Sequence, residues 1–183
     1  FVPGKLVYTS HNPAWSEGKN DILNEIILKL EGFVARRFDR VITVSLEMRK
    51  GIEKRTGVKG VRVIYNFVDT KRFFPKGNAW KKKMGISGPL VLFVGKLTKN
   101  KGVEYFIRSA ALVREKLPDA KFVLAGPASF EYETENRWHS LVKELGLQDT
   151  VLFSGPASSE ELPFVYSSAD VFCFPTLKEA FGI

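Results

Sequence analysis

The chain has 183 residues, of which 44% are hydrophobic and 13% aromatic, which is enough for a packed core and excludes a disordered chain. Its formal net charge of +8 at pH 7 predicts attraction to anions: phosphorylated small molecules, nucleic acid or an acidic membrane surface. Its apolar runs are shorter than the roughly 20 residues of a membrane-spanning helix, so we expect no transmembrane segment.

The first part of the chain alternates predicted strands with predicted helices. Apolar residues at three- and four-residue steps from Asp21 to Phe38 predict one long helix with a single apolar stripe. Ser45 is the expected N-cap of a second helix. In chain order the predicted elements are strand Lys5–Thr9, the helix over 21–38, strand Arg40–Val44, a helix through Arg55 and strand Val61–Tyr65.

Regular periodicity lapses between Asn66 and Asn78, and this segment is the predicted linker between two domains. A second alternation of strands and helices follows it. Its predicted elements are strand Leu90–Val94, a helix over 103–116, strand Lys121–Ala125, a helix over 133–145, strand Val151–Phe153, a helix holding Leu162 and Val165 behind a Ser158–Glu161 capping box, and strand Val171–Phe174.

Strands that are apolar throughout and alternate with helices predict an α/β fold with doubly wound parallel sheets. Ligands of such sheets bind outside the carboxyl ends of the strands. This rule selects the loops Ser10–Pro13, Gly95–Gly102, Gly126–Ala128, Gly155–Ala157 and Pro175–Gly182.

Cys173 is the single cysteine and lies between two phenylalanines, which predicts a core position. One cysteine permits no internal disulfide, so we expect a reducing, cytoplasmic compartment. The chain opens on Phe1-Val2-Pro3-Gly4, without a charged signal-peptide start or an initiator methionine, so we expect it to begin within a longer protein.

The loop Gly95–Gly102 lies between an apolar strand and a helix and carries Lys96 and Lys101. Free amides at a helix start and nearby lysines suit a phosphate, because the helix dipole and the side-chain charges add. The loop is not a Walker loop, because its lysine precedes the second glycine, whereas that motif needs a lysine and a serine or threonine after it. It is not a dinucleotide fingerprint either, because the pattern Gly-x-Gly-x-x-Gly is absent. Taken alone, it is equally compatible with a solvated basic turn.

Glu179 follows the last predicted strand. A carboxylate there could accept hydrogen bonds from sugar hydroxyls, and amides around Gly182 could face an anion. Taken alone, a surface position is the simpler interpretation of a glutamate, because glutamate is seldom buried.

Several motifs occur in a characteristic order, and together they resemble family 4 glycosyltransferases of GT-B fold. In the first half they are Thr9-Ser-His11, Asp39-Arg-Val-Ile-Thr-Val-Ser45 and Val63-Ile-Tyr-Asn-Phe-Val-Asp69. In the second half they are Gly95-Lys-Leu with Lys101-Gly102, Leu124-Ala-Gly-Pro127, Val151-Leu-Phe-Ser-Gly155, Ala169-Asp-Val171 and Pro175-Thr-Leu-Lys-Glu-Ala-Phe-Gly182.

The resemblance implies roles for particular residues. Lys96 and Lys101 match a basic pair that holds the donor diphosphate, Glu179 matches a glutamate that binds donor-sugar hydroxyls, and His11 matches a histidine that faces the transferring sugar. The implied catalytic residues are thus His11, Lys96, Lys101 and Glu179. The implied donor-binding residues are Gly95, Lys96, Lys101, Gly102, Gly126, Ala157, Glu179, Phe181 and Gly182.

The chain departs from the family pattern at three places. Lys96 stands where arginine is usual, and its ammonium cannot donate the two parallel hydrogen bonds that a guanidinium makes to a phosphate. Phe67 replaces a glycine, and phenylalanine adopts positive φ at a higher cost. The second glutamate of the paired motif would fall beyond Ile183, so we expect this fragment alone to be inactive.

The resemblance implies two partial Rossmann-like domains, the acceptor-side domain over residues 1–70 and the donor-binding domain over residues 71–183. The implied activity is retaining transfer of a hexose from a nucleotide-diphosphate sugar to a hydroxyl of a glycan, lipid or small-molecule acceptor. No metal and no cofactor are expected, and the location is cytoplasmic or peripheral on an anionic membrane face.

Other interpretations stay open at this point. A noncatalytic sugar-nucleotide-binding module and a GT-B sugar-nucleotide epimerase would share the fold, because function resides in the site. Nucleic-acid binding is disfavoured, since the lysines are dispersed and no reading helix or aromatic-basic stripe occurs.

Overall fold

The computed structural model describes residues 4–11, 22–127 and 132–182, which leaves Asn12, Pro13 and Ala128 of the selected loops outside the described residues. Two compact units form, one from the described parts of Phe1–Val68 and Lys178–Ile183 and the other from Asp69–Leu177. The sequence places the tail from Lys178 in the second domain instead. The tail belongs to the first unit, where the ring of Phe181 packs 5.8 Å from the ring of Tyr65.

Strands and helices alternate along most of the chain, as the sequence predicts. In order the elements are β1 Val7–Ser10, α1 Ile22–Ala35, β2 Arg40–Thr43, α2 Leu46–Thr56, β3 Arg62–Val63, α3 Ala79–Lys83, β4 Leu90–Val94, α4 Val103–Arg114, β5 Lys121–Ala125, α5 Tyr132–Glu144, β6 Val151–Gly155, α6 Leu162–Ser167 and β7 Val171–Phe172, with a 3-10 turn at Lys99–Lys101. Of these helices, α3 is not predicted from the sequence.

The first unit contains a parallel three-stranded sheet in the order β1-β2-β3. Buried residues of β2 and α2, Val41 and Ile52 among them, form a small apolar core. Ser45 caps α2 by accepting a hydrogen bond from the backbone N–H of Met48 at 3.3 Å, so the predicted N-cap is confirmed.

The apolar stripe of α1 is largely exposed among the described residues. Leu30, Phe33 and Val34 keep 57%, 52% and 48% of their surface, and only Ala35 at the helix end joins the core. The periodicity predicts that this face is buried, but the described residues pack against it only slightly.

The second unit is built on a parallel four-stranded sheet in the order β6-β5-β4-β7. Alternate residues of β4 enter different cores, with Phe93 in one cluster and Leu90 and Leu92 in the other. Both faces of the sheet are therefore covered, and the predicted parallel α/β architecture is confirmed.

The segment predicted as a linker is partly packed. From Asp69 onward it belongs to the second unit, where the Ser167 hydroxyl on α6 donates to the Phe74 carbonyl at 3.1 Å and accepts from the Lys76 N–H at 2.9 Å. The Lys76 ammonium also lies 3.8 Å from the centre of the Phe74 ring. Sequence periodicity misses this segment because it packs without regular secondary structure.

Cys173 is half-buried and packs against the edge of the larger core, so it is less buried than the predicted core position, and this partial burial raises the pKa of its thiol. Along the described parts of the chain, no helix combines the length and apolarity needed to cross a bilayer.

Asp170 fastens the amino ends of two neighbouring strands. Its Oδ2 accepts hydrogen bonds from the Lys81 ammonium at 2.6 Å and from the Leu90 backbone N–H at 2.7 Å, while its own N–H donates to the Leu90 carbonyl at 3.0 Å. The hydrogen bond from Lys81 is the main reason that the pKa of this carboxyl lies below its usual range. The hydrogen bond from the Leu90 N–H lowers the pKa further.

We predict that Asp170→Asn lowers the free energy of unfolding at pH 7 by about 1 to 2 kcal/mol, because the half-exposed carboxylate is partly screened by solvent. The pKa is lower in the folded state than in the unfolded state, so the stabilisation is complete above the unfolded value of about 3.9 and disappears as the pH falls through the folded value. Denaturant unfolding of both proteins between pH 7 and pH 2 measures this.

The control is Asp149→Asn, which removes an exposed carboxylate at a position remote in sequence from Asp170. Its stability difference should be small and nearly constant over the same pH range. An Asp170→Asn difference that persists unchanged at the lowest pH would contradict the assignment.

Candidate functional site

The loops that follow β4, β5, β6 and β7 lie at one edge of the second sheet, because all four strands run parallel. This edge brings together six of the residues predicted for donor binding. They are Gly95, Lys96, Lys101, Gly102, Gly126 and Ala157.

Backbone contact joins the loops after β4 and β5. The Gly95 N–H donates to the Ala125 carbonyl at 3.0 Å, and the Gly126 N–H donates to the Gly155 carbonyl at 2.9 Å. A Cβ added to Gly126 would lie 1.9 Å from the Gly95 carbonyl oxygen, closer than atoms can approach. Only glycine at position 126 permits this arrangement of the two loops.

A second close approach joins the loop after β4 to the loop after β7. Gly102 has φ of +77°, and a Cβ there would lie 1.9 Å from the carbonyl oxygen of Pro175. The Asn100 carbonyl accepts hydrogen bonds from the Leu177 N–H at 2.9 Å and from the Thr176 hydroxyl at 3.2 Å. The loop that carries the two lysines is therefore fixed from both sides.

Trp138 supports the same loop from the core. Its indole N–H donates to the Leu97 carbonyl at 2.9 Å, and the Trp138 side chain is fully buried on α5. The Leu97 N–H in turn donates to the Pro127 carbonyl at 3.1 Å. Sequence reasoning misses this contact, although a tryptophan in an apolar helix stripe needs a partner for its N–H.

Lys96 is exposed at this edge and Lys101 is half-buried, with its ammonium 5.5 Å from the centre of the Phe174 ring. Helix α4 begins directly after Gly102, which caps it without a side-chain hydrogen bond. Amide N–H groups of its first turn thus point out of the helix start, where the dipole favours negative charge.

The one acidic side chain of that first turn, Glu104, is engaged by cations. Its two carboxylate oxygens pair with Arg108 at 3.1 Å and Arg137 at 3.2 Å. These pairs offset the repulsion that an anion at the helix start would otherwise meet from Glu104. The edge is chemically suited to a phosphate or diphosphate.

The other predicted site residues belong to the first unit. His11 is exposed directly after β1, and Glu179 is exposed, its carboxylate accepting a hydrogen bond from the Ala180 N–H at 3.2 Å. Phe181 is half-buried and Gly182 is exposed. The structure does not bring these four together with the lysines in one unit, and their roles stay predictions.

Two family models match the chain. The model for glycosyl transferases group 1 matches residues 78–183, and the model for glycosyltransferase family 4 matches residues 3–72. A mannosylfructose-phosphate synthase of Agrobacterium fabrum is 36% identical over 133 residues, which are 68% of this chain and 29% of that protein.

Solved structures share the fold. Anabaena HepE, crystallised in complex with UDP and glucose, matches with a TM-score of 0.82 at 23% identity over 97% of this chain and 48% of HepE. Sucrose-phosphate synthase from Thermosynechococcus elongatus matches with a TM-score of 0.80 at 24% identity over 97% of this chain and 46% of the synthase. The chain thus spans less than half the length of each of these relatives.

We predict that Gly102→Ala destabilises the protein by about 1 kcal/mol for its left-handed backbone and by about 1 to 3 kcal/mol more for the clash with the Pro175 carbonyl. Gly146→Ala is the matched control. Gly146 has φ of +63°, but nothing lies within 4 Å of a Cβ placed there. Denaturant unfolding should give only the backbone cost for this variant, and equal losses for both variants would show that the contact between the loops is unimportant.

Proposed function

The chain belongs to the glycosyl transferases group 1 family, and from this membership we propose that the protein transfers a sugar from a nucleotide-diphosphate donor to an acceptor hydroxyl. Both the resemblance to family 4 glycosyltransferases and the GT-B fold class expected from the sequence are confirmed. We further propose that the transferred sugar is a hexose and that its anomeric configuration is retained.

The observation that carries the proposal is the lysine-bearing loop Gly95–Gly102 at the carboxyl edge of the second sheet. Backbone contacts at Gly95 and Gly102 and the hydrogen bond from the buried Trp138 anchor this loop at both ends and in the middle. A rigid loop can offer Lys96, Lys101 and the start of α4 to a diphosphate without a large ordering cost.

Two relatives support the choice of donor. HepE was crystallised with UDP and glucose, and the Agrobacterium relative is a mannosylfructose-phosphate synthase. We therefore propose a uridine or related nucleoside diphosphate as the leaving group and a hexose as the group transferred.

The difficult step of such a transfer is departure of the diphosphate. Negative charge grows on the leaving oxygen while the sugar acquires oxocarbenium character. In our proposal Lys96, Lys101 and the amides at the start of α4 stabilise that growing charge. Because these groups are cationic or dipolar and already positioned, they do little reorganisation during the reaction.

Glu179 and His11 complete the proposal, in the roles that the family resemblance implies. Glu179 would accept hydrogen bonds from donor-sugar hydroxyls, and His11 would face the transferring sugar. Neither role requires a cofactor or a metal ion. We therefore propose that the reaction uses the donor and the acceptor without either.

We predict that Lys96→Ala or Lys101→Ala in the full-length protein weakens donor binding by roughly tenfold to a hundredfold, because each removes a charge-assisted contact worth about 1.5 to 3 kcal/mol. Turnover should fall as well, because the charge on the diphosphate is greatest in the transition state. Sugar transfer from a panel of nucleotide sugars measures both, and proton NMR of the product reports the anomeric configuration.

Lys99→Ala is the matched control, because Lys99 is an exposed lysine of the same loop outside the predicted pair. Equal loss in Lys99→Ala and Lys101→Ala would mean that diffuse charge, not a positioned clamp, binds the donor. Donor binding without any transfer would identify a noncatalytic module, and conversion of the donor without an acceptor would identify an epimerase.

A further inference from the structure

A cleft of about 490 Å³ opens in the first unit, where α1 and α2 end and β2 and β3 begin. It lies at the amino ends of these strands, at the opposite edge of the sheet from Ser10 and His11. Four cationic side chains and one carboxylate line it, and its other lining residues are apolar or glycine. The charged residues are Arg36, Asp39, Arg40, Lys59 and Arg62.

Contacts within the unit account for only part of this charge. The Arg36 guanidinium donates to the Thr56 carbonyl at the end of α2, which neutralises the negative end of that helix. The Asp39 carboxylate accepts a hydrogen bond from the Leu6 N–H at 2.8 Å. Within the described ranges, the side chains of Lys59 and Arg62 have no hydrogen bond or ion pair to account for their charge.

The register of the sheet places two of the arginines on the same face of neighbouring strands. Arg62 of β3 pairs with Ile42 of β2, and Arg40 stands two residues before Ile42. Alternate residues of a strand share a face, so Arg40 and Arg62 lie diagonally on the same face of adjacent strands. Arg40 also donates to the Asp39 carbonyl at 2.8 Å, and among the described residues this partner is neutral and does not balance its charge.

We propose that this cleft binds a phosphate-bearing anion. Guanidinium groups offer paired N–H donors that match phosphate oxygens, and the Lys59 ammonium adds a third positive charge at the rim. The volume lies within the range of about 300 to 1,000 Å³ that is usual for small-molecule sites. The site is separate from the lysine loop of the second unit and does not rest on the proposed function.

Inorganic pyrophosphate is the probe, titrated calorimetrically into the full-length protein at about 0.15 M ionic strength, where surface charges are screened. The double variant Arg40→Gln/Arg62→Gln should bind it about tenfold or more weakly at this site, because two charge-assisted contacts are lost. The titration is repeated in a Lys96→Ala/Lys101→Ala background, in which binding at the cleft should persist. If the double variant does not fold, Lys59→Gln at an exposed position of the lining should also weaken pyrophosphate binding.

Lys50→Gln/Lys54→Gln is the matched control, because it removes two exposed charges of α2 outside the cleft. Co-sedimentation with vesicles of phosphatidylcholine, with or without phosphatidylglycerol, identifies the source of the phosphate. Binding to anionic vesicles that is lost in Arg40→Gln/Arg62→Gln supports the site with a lipid headgroup as ligand, and pyrophosphate binding alone supports a soluble ligand. Unchanged binding of both probes by that variant, or an equal loss in the control, overturns the proposal.

Discussion

Close approach of backbone to backbone is the constraint on which the candidate site depends. The Gly95 carbonyl lies where a side chain of residue 126 would be, and the Pro175 carbonyl lies where a side chain of residue 102 would be. Glycine at 102 and 126 lets three consecutive exit loops of a parallel sheet touch. These contacts hold both ends of the loop that carries the two lysines.

The core contributes to the same constraint through one hydrogen bond. Trp138 fills the larger apolar cluster and directs its N–H to the Leu97 carbonyl, midway along the loop. At the other end of the sheet, Asp170 ties β7 to the start of β4. Core packing at Trp138 and strand pairing at Asp170 therefore both support the sheet whose edge carries the candidate anion site.

Local patterns predict the second sheet well. The apolar runs Leu90–Val94 and Lys121–Ala125 are observed with the predicted bounds, since strands buried on both faces leave a continuous apolar signal. Helix α3 escapes prediction because its five residues are too few to show a helical apolar period. The partner of Trp138 and the packing of Phe181 on Tyr65 are tertiary contacts, and no spacing rule along the sequence specifies them.

The most direct test of the central claim is a crystal structure of the full-length protein with UDP. We predict that diphosphate oxygens lie within hydrogen-bonding distance of the Lys96 or Lys101 ammonium and of amide N–H groups at the start of α4. Lys99 should make no such contact. UDP whose diphosphate lies away from the Gly95–Gly102 loop, for example in the arginine cleft of the first unit, would contradict the assignment of this loop as the donor site.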